Sequence, residues 1–172
     1  MRKRSASRSS TSWTWSGRVA SSDPTILFDR QTPSRVCKER FAILDTSVYV
    51  DHWRGDLEIE WLHEEFIVRH SAIVLSELRR GTQSTRDLRR LNELVSAAHV
   101  QWAPTAADWW HAAVLICTIG SRRDWDSVRR VHVQNDALIA LTARRYGALL
   151  VARDRRDFAS LSTSLPLSVL WL

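Results

Sequence analysis

The chain has 172 residues, enough for one domain with a full hydrophobic core and too few for two ordinary domains. Its apolar fraction of 44% is typical of a globular protein, while 25 Lys and Arg against 19 Asp and Glu give a formal charge of +6. Two cysteines cannot make a disulfide framework, and no apolar run approaches the roughly 20 residues that span a bilayer. These figures exclude a disulfide-rich secreted scaffold and a membrane-spanning protein, and we expect a cytoplasmic one.

The excess positive charge lies at one end of the chain. Residues 1–40 hold nine basic and three acidic side chains, whereas residues 41–172 hold sixteen of each. The first segment is rich in Ser and Arg and has no apolar periodicity, so we expect a disordered basic tail. Three interpretations stay open for it: an organellar transit peptide, an RNA-binding arm, or residues of an overlong gene model. We favour the third, because the predicted ordered domain, 41–172, begins abruptly near Phe41.

The first predicted elements alternate between strand and helix. Phe41–Leu44 is a continuous apolar run, typical of a strand buried on both faces, and it stops at Asp45. Thr46 or Ser47 is predicted to cap a helix that ends at Gly55. Three elements follow in order: an amphipathic segment at 57–65, a short strand at 66–68, and a helix at 72–80 that Gly81 ends.

The middle of the chain contains two predicted helices with an edge strand between them. A capping-box-like start at Ser84 and Asp87 opens a helix with an apolar face of Leu88, Leu91, Val95 and Ala98. Residues 99–102 are the candidate edge strand. Thr105 and Asp108 open the second helix, and its predicted core-facing side is Ala106, Trp109, Trp110, Ala113, Val114 and Cys117.

The last third supplies a helix and two strands. Asn135 is predicted to cap a helix at 136–146, and the apolar runs at 148–152 and 167–172 are predicted strands. Helices that separate short buried strands favour an α/β fold. We therefore expect a mostly parallel central sheet flanked by helices on both faces.

Four acidic residues are candidates for a functional site. Asp45 ends the first strand and Asp154 follows the strand at 148–152, which is where parallel sheets place their sites. Asp136 lies in the first turn of a helix, where the helix dipole keeps a carboxylate ionised. Glu77 is embedded in an apolar stretch, where an isolated carboxylate is costly. Each acid alone has an ordinary explanation, such as a turn, a helix start or an ion pair. Together they favour a site for a hard cation.

Four segments resemble the sequence blocks of the PIN domain family and occur in the family's order: FAILDTSVYV (41–50), AIVLSELRRG (72–81), NDALIALTAR (135–144) and LLVARDRRDF (149–158). The compact size is similar to that of the VapC-type toxins of bacterial toxin–antitoxin pairs. The resemblance implies a three-layer PIN-like fold and a metal-dependent endoribonuclease. Its catalytic and metal-binding acids would be Asp45, Glu77, Asp136 and Asp154. It also implies an RNA substrate, a homodimer and a small cognate antitoxin that blocks the site.

The charge of this acidic set predicts the cofactor. Carboxylates within a few ångströms of one another repel unless a divalent cation neutralises them, and Mg²⁺ or Mn²⁺ matches an all-oxygen shell. Such an ion can activate water for attack on a phosphodiester. Thr46, Ser47 and Asp157 are expected to lie behind the ligands and to help position them. Whether one or two metals act stays open.

Contacts to the substrate are expected from arginine. Residues 41–172 contain no lysine, and the planar guanidinium suits phosphate. Arg153, Arg155 and Arg156 are the predicted phosphate contacts because they flank Asp154. The other arginines are interpreted as solvated helix faces, or as the codon bias of a GC-rich genome.

The aromatic residues carry a weaker signal. At helical spacing, tryptophans more often fill a core or a dimer seam than stack on bases. Trp53, Trp61 and Trp109 are expected to mark the surface where a dimer or an antitoxin binds.

One departure from the family pattern leaves an alternative open. The hydroxyl residue usual two positions before the last acid is Ala152 here, so one polar contact to the site is expected to be missing. A catalytically weak PIN domain that binds RNA or protein is therefore an alternative. A DNase is another, because metal-bound carboxylates do not distinguish ribose from deoxyribose. Retention of all four acids favours the ribonuclease.

Overall fold

The computed structural model describes residues 40–172, so the predicted tail at 1–40 lies, apart from Arg40, outside the described residues. Within this range the strands are β1 (Phe41–Leu44), β2 (Ile67–Ser71), β3 (Gln101–Trp102), β4 (Leu149–Ala152) and β5 (Val169–Trp171). The helices are α1 (Thr46–Arg54), α2 (Glu60–Glu65), α3 (Ala72–Gly81), α4 (Thr85–Ala97), α5 (Ala106–Arg122), α6 (Ser127–His132), α7 (Gln134–Arg145) and α8 (Arg155–Ser162). Among these residues, no helix has both the length and the apolar surface that a bilayer-spanning segment requires.

The strands form one parallel sheet in the order β3-β2-β1-β4-β5. β1 lies at the centre, where Ala42 pairs with Val68 of β2 and Ile43 pairs with Leu150 of β4. The chain moves outward from β1 to β3 and then crosses to β4 and β5 on the other side. This reversal creates a crevice outside the carboxyl ends of β1 and β4. The predicted parallel sheet flanked by helices is confirmed.

One helix lies at the centre of the core. Every residue of α7 from Ala137 to Ala143 is buried, and the helix packs against β4, α3, α5 and α8. A helix that is buried all round belongs to the core rather than to the surface. Because α7 carries Asp136 in its first turn, this acid is anchored at the centre of the domain.

Two predicted helix caps are wrong, because the residues concerned bind a carboxylate elsewhere. The N-cap of α1 is Asp45, not Thr46 or Ser47, and its carboxylate accepts the backbone N–H of Ser47 at 3.2 Å. α7 begins one residue before Asn135 and has no side-chain cap. The side chains of Thr46 and Asn135 both donate to Glu77 instead.

The other predicted elements are present with small shifts in their bounds. The helix starts at Ser84 and Thr105 are confirmed, and Thr105 forms a full capping box with Asp108. Gly55 ends α1 as predicted, with a left-handed φ of 89°. No element was predicted where α6 and α8 lie, since helices of six and eight residues show too little apolar periodicity.

Polar residues extend β2 beyond the predicted strand at 66–68. The guanidinium of Arg69 lies 5.5 Å from the ring centroid of Phe41, next to β3. The next residue, His70, is buried and forms a 2.9 Å hydrogen bond through Nδ1 with the Tyr49 hydroxyl of α1. The strand therefore continues past its apolar run, because both polar side chains have partners.

The side of α5 that was predicted to face the core is exposed. This α5 outer face consists of Ala106, Trp109, Trp110, Ala113, Val114 and Cys117. The buried side carries Ala112, Ile116 and Ile119 and packs against α7. α5 has apolar residues on two sides, and helical periodicity does not tell which of them meets the core.

Candidate active site

The crevice at the carboxyl ends of β1 and β4 is a cleft of about 460 Å³. Its lining includes all four predicted acids and also the three residues expected behind them. The lining residues are Asp45, Thr46, Ser47, Glu77, Arg80, Gly81, Asp136, Asp154, Asp157 and Phe158. The topology therefore brings together residues that are up to 113 positions apart in the sequence.

Asp45 is fixed at the end of β1. Its backbone N–H donates to the Val151 carbonyl of β4 at 2.8 Å, and its Oδ2 accepts from the Ser47 hydroxyl at 2.6 Å. Burial raises the pKa of Asp45, the hydrogen bonds from Ser47 lower it, and the nearby charge of Glu77 raises it. Ser47 thus donates two hydrogen bonds to this buried carboxylate and fixes its orientation.

Glu77 is held from two sides. Its Oε2 accepts from the Thr46 hydroxyl of α1 at 2.5 Å, and its Oε1 accepts from the Asn135 amide of α7 at 2.6 Å. Three helices therefore meet at this one carboxylate. Asn135 was missed as a site residue, although its position directly before Asp136 in a family-like block was a usable signal.

Asp136 shows how close the acids lie to one another. The pKa of Asp136 is raised to about 8, first by burial and then by the charges of Asp45, Glu77 and Asp154, in that order of effect. Arg129 acts in the opposite direction. The cleft therefore carries more negative charge than its own protein cations neutralise.

Asp154 and Asp157 lie on the α8 side of the cleft. Asp154 is exposed and caps α8, with its Oδ1 accepting the Arg156 backbone N–H at 2.9 Å. Asp157, one turn later, forms an ion pair with Arg129 of α6, whose guanidinium also lies 5.6 Å from the Trp125 ring centroid. Arg129 was missed by the sequence analysis, because it belongs to a helix that was not predicted.

The donor set of the cleft fits a hard divalent cation by its chemistry. The predicted ligands are all carboxylates, the oxygen donors that Mg²⁺ and Mn²⁺ prefer, and the raised pKa of Asp136 marks a negative charge that a cation would offset. Within residues 40–172, however, no three Asp, Glu, His or Cys side chains are drawn together tightly enough to be identified as a metal-binding group. The acids line the cleft without closing on a single point.

The arginines predicted to contact phosphate lie outside the cleft lining. Arg153 forms a 2.7 Å ion pair with Asp51, and the guanidinium of Arg155 lies 5.8 Å from the Trp171 ring centroid. Arg80, which was not singled out, does line the cleft.

The position of Ala152 is explained by the backbone around it. Ala152 is fully buried at the end of β4, and its carbonyl accepts the Leu172 N–H at 3.1 Å. A hydroxyl from another element lies next to the end of β4: the backbone N–H of Arg153 donates to the Ser47 hydroxyl at 3.4 Å.

The tryptophans expected at an interface lie on three different helices. Trp53 of α1 is half-buried beside Tyr49, whereas Trp61 of α2 and Trp109 of α5 are exposed. Only Trp109 belongs to the α5 outer face.

Comparisons with known proteins give a family and a fold. The model of the PIN domain family matches residues 42–163. VapBC-1 from nontypeable Haemophilus influenzae has a TM-score of 0.56 and 17% identity over 76% of this chain and 97% of that chain. VapBC2 from Rickettsia felis, solved bound to a DNA fragment from the promoter, has a TM-score of 0.55 and 18% identity over 77% of this chain and 98% of that chain.

A third similar structure is VapBC-5 from Mycobacterium tuberculosis, a member of the VapBC family of toxin–antitoxin systems. It has a TM-score of 0.52 and 20% identity over 77% of this chain and 98% of that chain. At such identities the shared property is the fold. No curated protein matches the sequence.

Proposed function

The chain belongs to the PIN domain family, and on that premise we propose that it is a divalent-metal-dependent endoribonuclease, the toxin of a VapBC-like pair in the cytoplasm. The observation that carries the proposal is the cleft at the carboxyl ends of β1 and β4, which Asp45, Glu77, Asp136 and Asp154 all line. The described residues that line this cleft include no His or Cys, so they do not form a nucleophile of the Ser-His or Cys-His kind. Its chemistry is suited to holding a cation.

The four acids would hold Mg²⁺ or Mn²⁺. When bound, such a cation activates water and stabilises negative charge on a phosphodiester. The protein's own part is to hold its carboxylates ready: Ser47 fixes Asp45, while Thr46 and Asn135 fix Glu77. Groups locked by hydrogen bonds from behind lose little freedom when they take up a ligand.

We place the pairing surface of a homodimer at the α5 outer face. Trp109 is 46% exposed and Trp110 is 71% exposed. Large apolar side chains that form a contiguous exposed patch are typical of an interface. At about 250 Å² for a whole tryptophan, these two leave about 300 Å² in water. A twofold pairing would bury about 600 Å² from them alone, over half of the roughly 1,000 Å² that a specific interface needs.

The α5 outer face also carries no acidic or basic side chain, so two copies can meet there without charge repulsion. A small antitoxin is the second proposed partner, supported by the fold that the chain shares with VapBC proteins.

Cleavage assays on the full chain test the ribonuclease. Labelled single-stranded RNA and DNA are incubated with Mg²⁺, with Mn²⁺ and with chelator, using wild type, Asp45→Asn and Asp56→Asn. Asp56 is an exposed residue outside the cleft, so its variant is the matched control. We expect metal-dependent cleavage of RNA by wild type and the control, and a loss of at least 100-fold in Asp45→Asn.

The other outcomes separate the alternatives. Equal, chelator-insensitive cleavage by wild type and Asp45→Asn would refute the acidic mechanism. Cleavage of DNA alone would assign a DNase. Binding of RNA without cleavage by any variant would assign a binding module.

A further inference from the structure

The acidic cleft poses an electrostatic problem for any nucleic-acid substrate. Its lining contains five carboxylates, from Asp45, Glu77, Asp136, Asp154 and Asp157, and the backbone of a nucleic acid is itself a polyanion. A cation bound among the acids offsets part of this charge. The flanking phosphates of the strand still need positive partners at the edge of the cleft.

Most arginines near the cleft are already engaged with other groups. Arg129 pairs with Asp157, Arg153 pairs with Asp51, and Arg155 lies over Trp171. A phosphate would have to share the guanidinium of Arg129 or Arg153 with a carboxylate, and none of these three arginines lines the cleft.

Arg80 differs in both position and partners. It lies in the last turn of α3, one turn after Glu77. Among the described residues, it is the one arginine that lines the cleft. Its side chain is 68% exposed, and its nearest charged atom is Glu77 Oε1 at 3.9 Å. That distance is beyond a hydrogen bond, so the donors of this guanidinium are available to a ligand.

An ordinary structural role does not account for this placement. Glu77 already accepts 2.5 and 2.6 Å hydrogen bonds from Thr46 and Asn135, so it does not depend on Arg80 for a partner. A long, exposed ion pair contributes little to stability. The neighbouring Arg79 lies in the same last turn and interacts equally well with the negative end of the helix dipole.

We propose that Arg80 binds a phosphate of the substrate strand at the mouth of the acidic cleft. The proposal rests on the proposed function in one respect, that the cleft receives a nucleic-acid strand. It adds the residue that holds the strand. The next residue, Gly81, also lines the cleft, and a Cβ added there would have no atom from another element within 4 Å, so open space lies beside Arg80.

Arg79 provides the matched control. It is adjacent in sequence, exposed, and in the same last turn of α3, but its Nη1 donates to the Thr82 hydroxyl at 3.0 Å and it does not line the cleft. Arg79→Gln and Arg80→Gln remove the same charge from the same helix end. They differ in access to the cleft and in the hydrogen bond that Arg79 makes to Thr82.

The test measures binding apart from cleavage. Fluorescence anisotropy gives the Kd of a labelled single-stranded RNA, and of the matching DNA, for the full chain in an Asp45→Asn background, which blocks turnover and removes one negative charge from the cleft. We expect Arg80→Gln to raise Kd about tenfold and to lower the slope of log Kd against log salt by about one. Arg79→Gln should change Kd less than twofold, and Arg80→Lys should fall between.

Equal effects of Arg80→Gln and Arg79→Gln would overturn the proposal, and so would a parent chain that binds neither RNA nor DNA. If wild type binds a strand through Arg80 but cleaves nothing, the phosphate site stands and the ribonuclease fails. If binding depends on Arg80 and only DNA is bound, the phosphate site stands and the RNA substrate is wrong. Melting temperatures within about 2 °C of the parent confirm that both variants are folded.

Discussion

Replacing Asp136 by Asn should stabilise the metal-free protein, and increasingly so as the pH rises. The carboxyl of Asp136 has an ordinary pKa of 3.8, and in the folded protein burial and the neighbouring acids raise it to about 8. Between these values the unfolded chain releases a proton that the folded chain keeps. Folding stability therefore falls as the pH rises from about 4 to about 8, and the full cost is present above 8.

The size of the effect follows from the shift. Each pKa unit corresponds to about 1.4 kcal/mol, so about four units set an upper bound of roughly 5 to 6 kcal/mol. The pKa of about 8 already includes the opposing charge of Arg129, and relaxation of the cleft reduces the free-energy difference below this bound. We expect Asp136→Asn to match wild type near pH 4 and to exceed it by about 2 to 5 kcal/mol at pH 8.

Urea unfolding in chelator measures the difference. Tryptophan fluorescence is followed for wild type, Asp136→Asn and the control Asp56→Asn at several pH values from 4 to 8.5. The control should track wild type, because Asp56 is exposed and outside the cleft. A stability gap that does not grow with pH, or an Asp136→Asn protein less stable than wild type at pH 8, would refute the reasoning.

Three further predictions concern metal, positioning and assembly. Millimolar Mg²⁺ should raise the melting temperature of wild type by several degrees and leave Asp45→Asn almost unchanged; no shift in wild type would contradict a four-acid site. Asn135→Ala should lower kcat about tenfold by releasing Glu77, with a change in melting temperature below about 3 °C; an unchanged kcat would deny Asn135 its positioning role. Trp110→Glu should give a monomer by light scattering, whereas Val95→Glu, an exposed change on α4, should leave the dimer intact.

The acids of the site were predictable because their positions follow from local pattern. A short apolar strand that ends in Asp45 places that side chain at the carboxyl edge of the sheet, whatever the rest of the chain does. The same reasoning locates Asp154 after β4. Asp136 in a first helical turn and Glu77 in an apolar stretch were candidates on weaker local grounds, and the resemblance to family blocks grouped them with the other two acids.

The residues that hold these acids were harder to predict because they act across long sequence separations. Thr46 reaches Glu77 over 31 residues and Asn135 reaches it over 58. Read locally, both resemble helix caps, since Thr and Asn before an apolar run are favoured there. Only the packing of α1, α3 and α7 around one carboxylate reveals the competing partner.

The prediction that the α5 outer face packs against the core was wrong for a different physical reason. Its spacing fits a buried stripe, but so does the spacing of Ala112, Ile116 and Ile119 on the opposite side. A helix with two apolar sides can bury one of them within its own domain and needs a partner for the other. The wrong prediction is therefore informative: the surplus apolar side is what the homodimer proposal uses.

The acids of the candidate site and Arg80 lie on different parts of the fold, so we expect substitutions near them to have different kinetic effects. Asp45 directly follows β1 and Asp136 lies on α7, and both elements are largely buried, so the positions of these two acids are set by the core. Arg80 stands on an exposed helix end, where its side chain is free to follow a strand. Core substitutions along α7 should therefore lower kcat through misplaced carboxylates, whereas changes at the end of α3 should act on KM. Because Asp136 is costly to keep where it is, the packing of α7 has to supply the stability that the acid removes, and small-to-large changes at Ala140 or Ala143 should affect both stability and turnover.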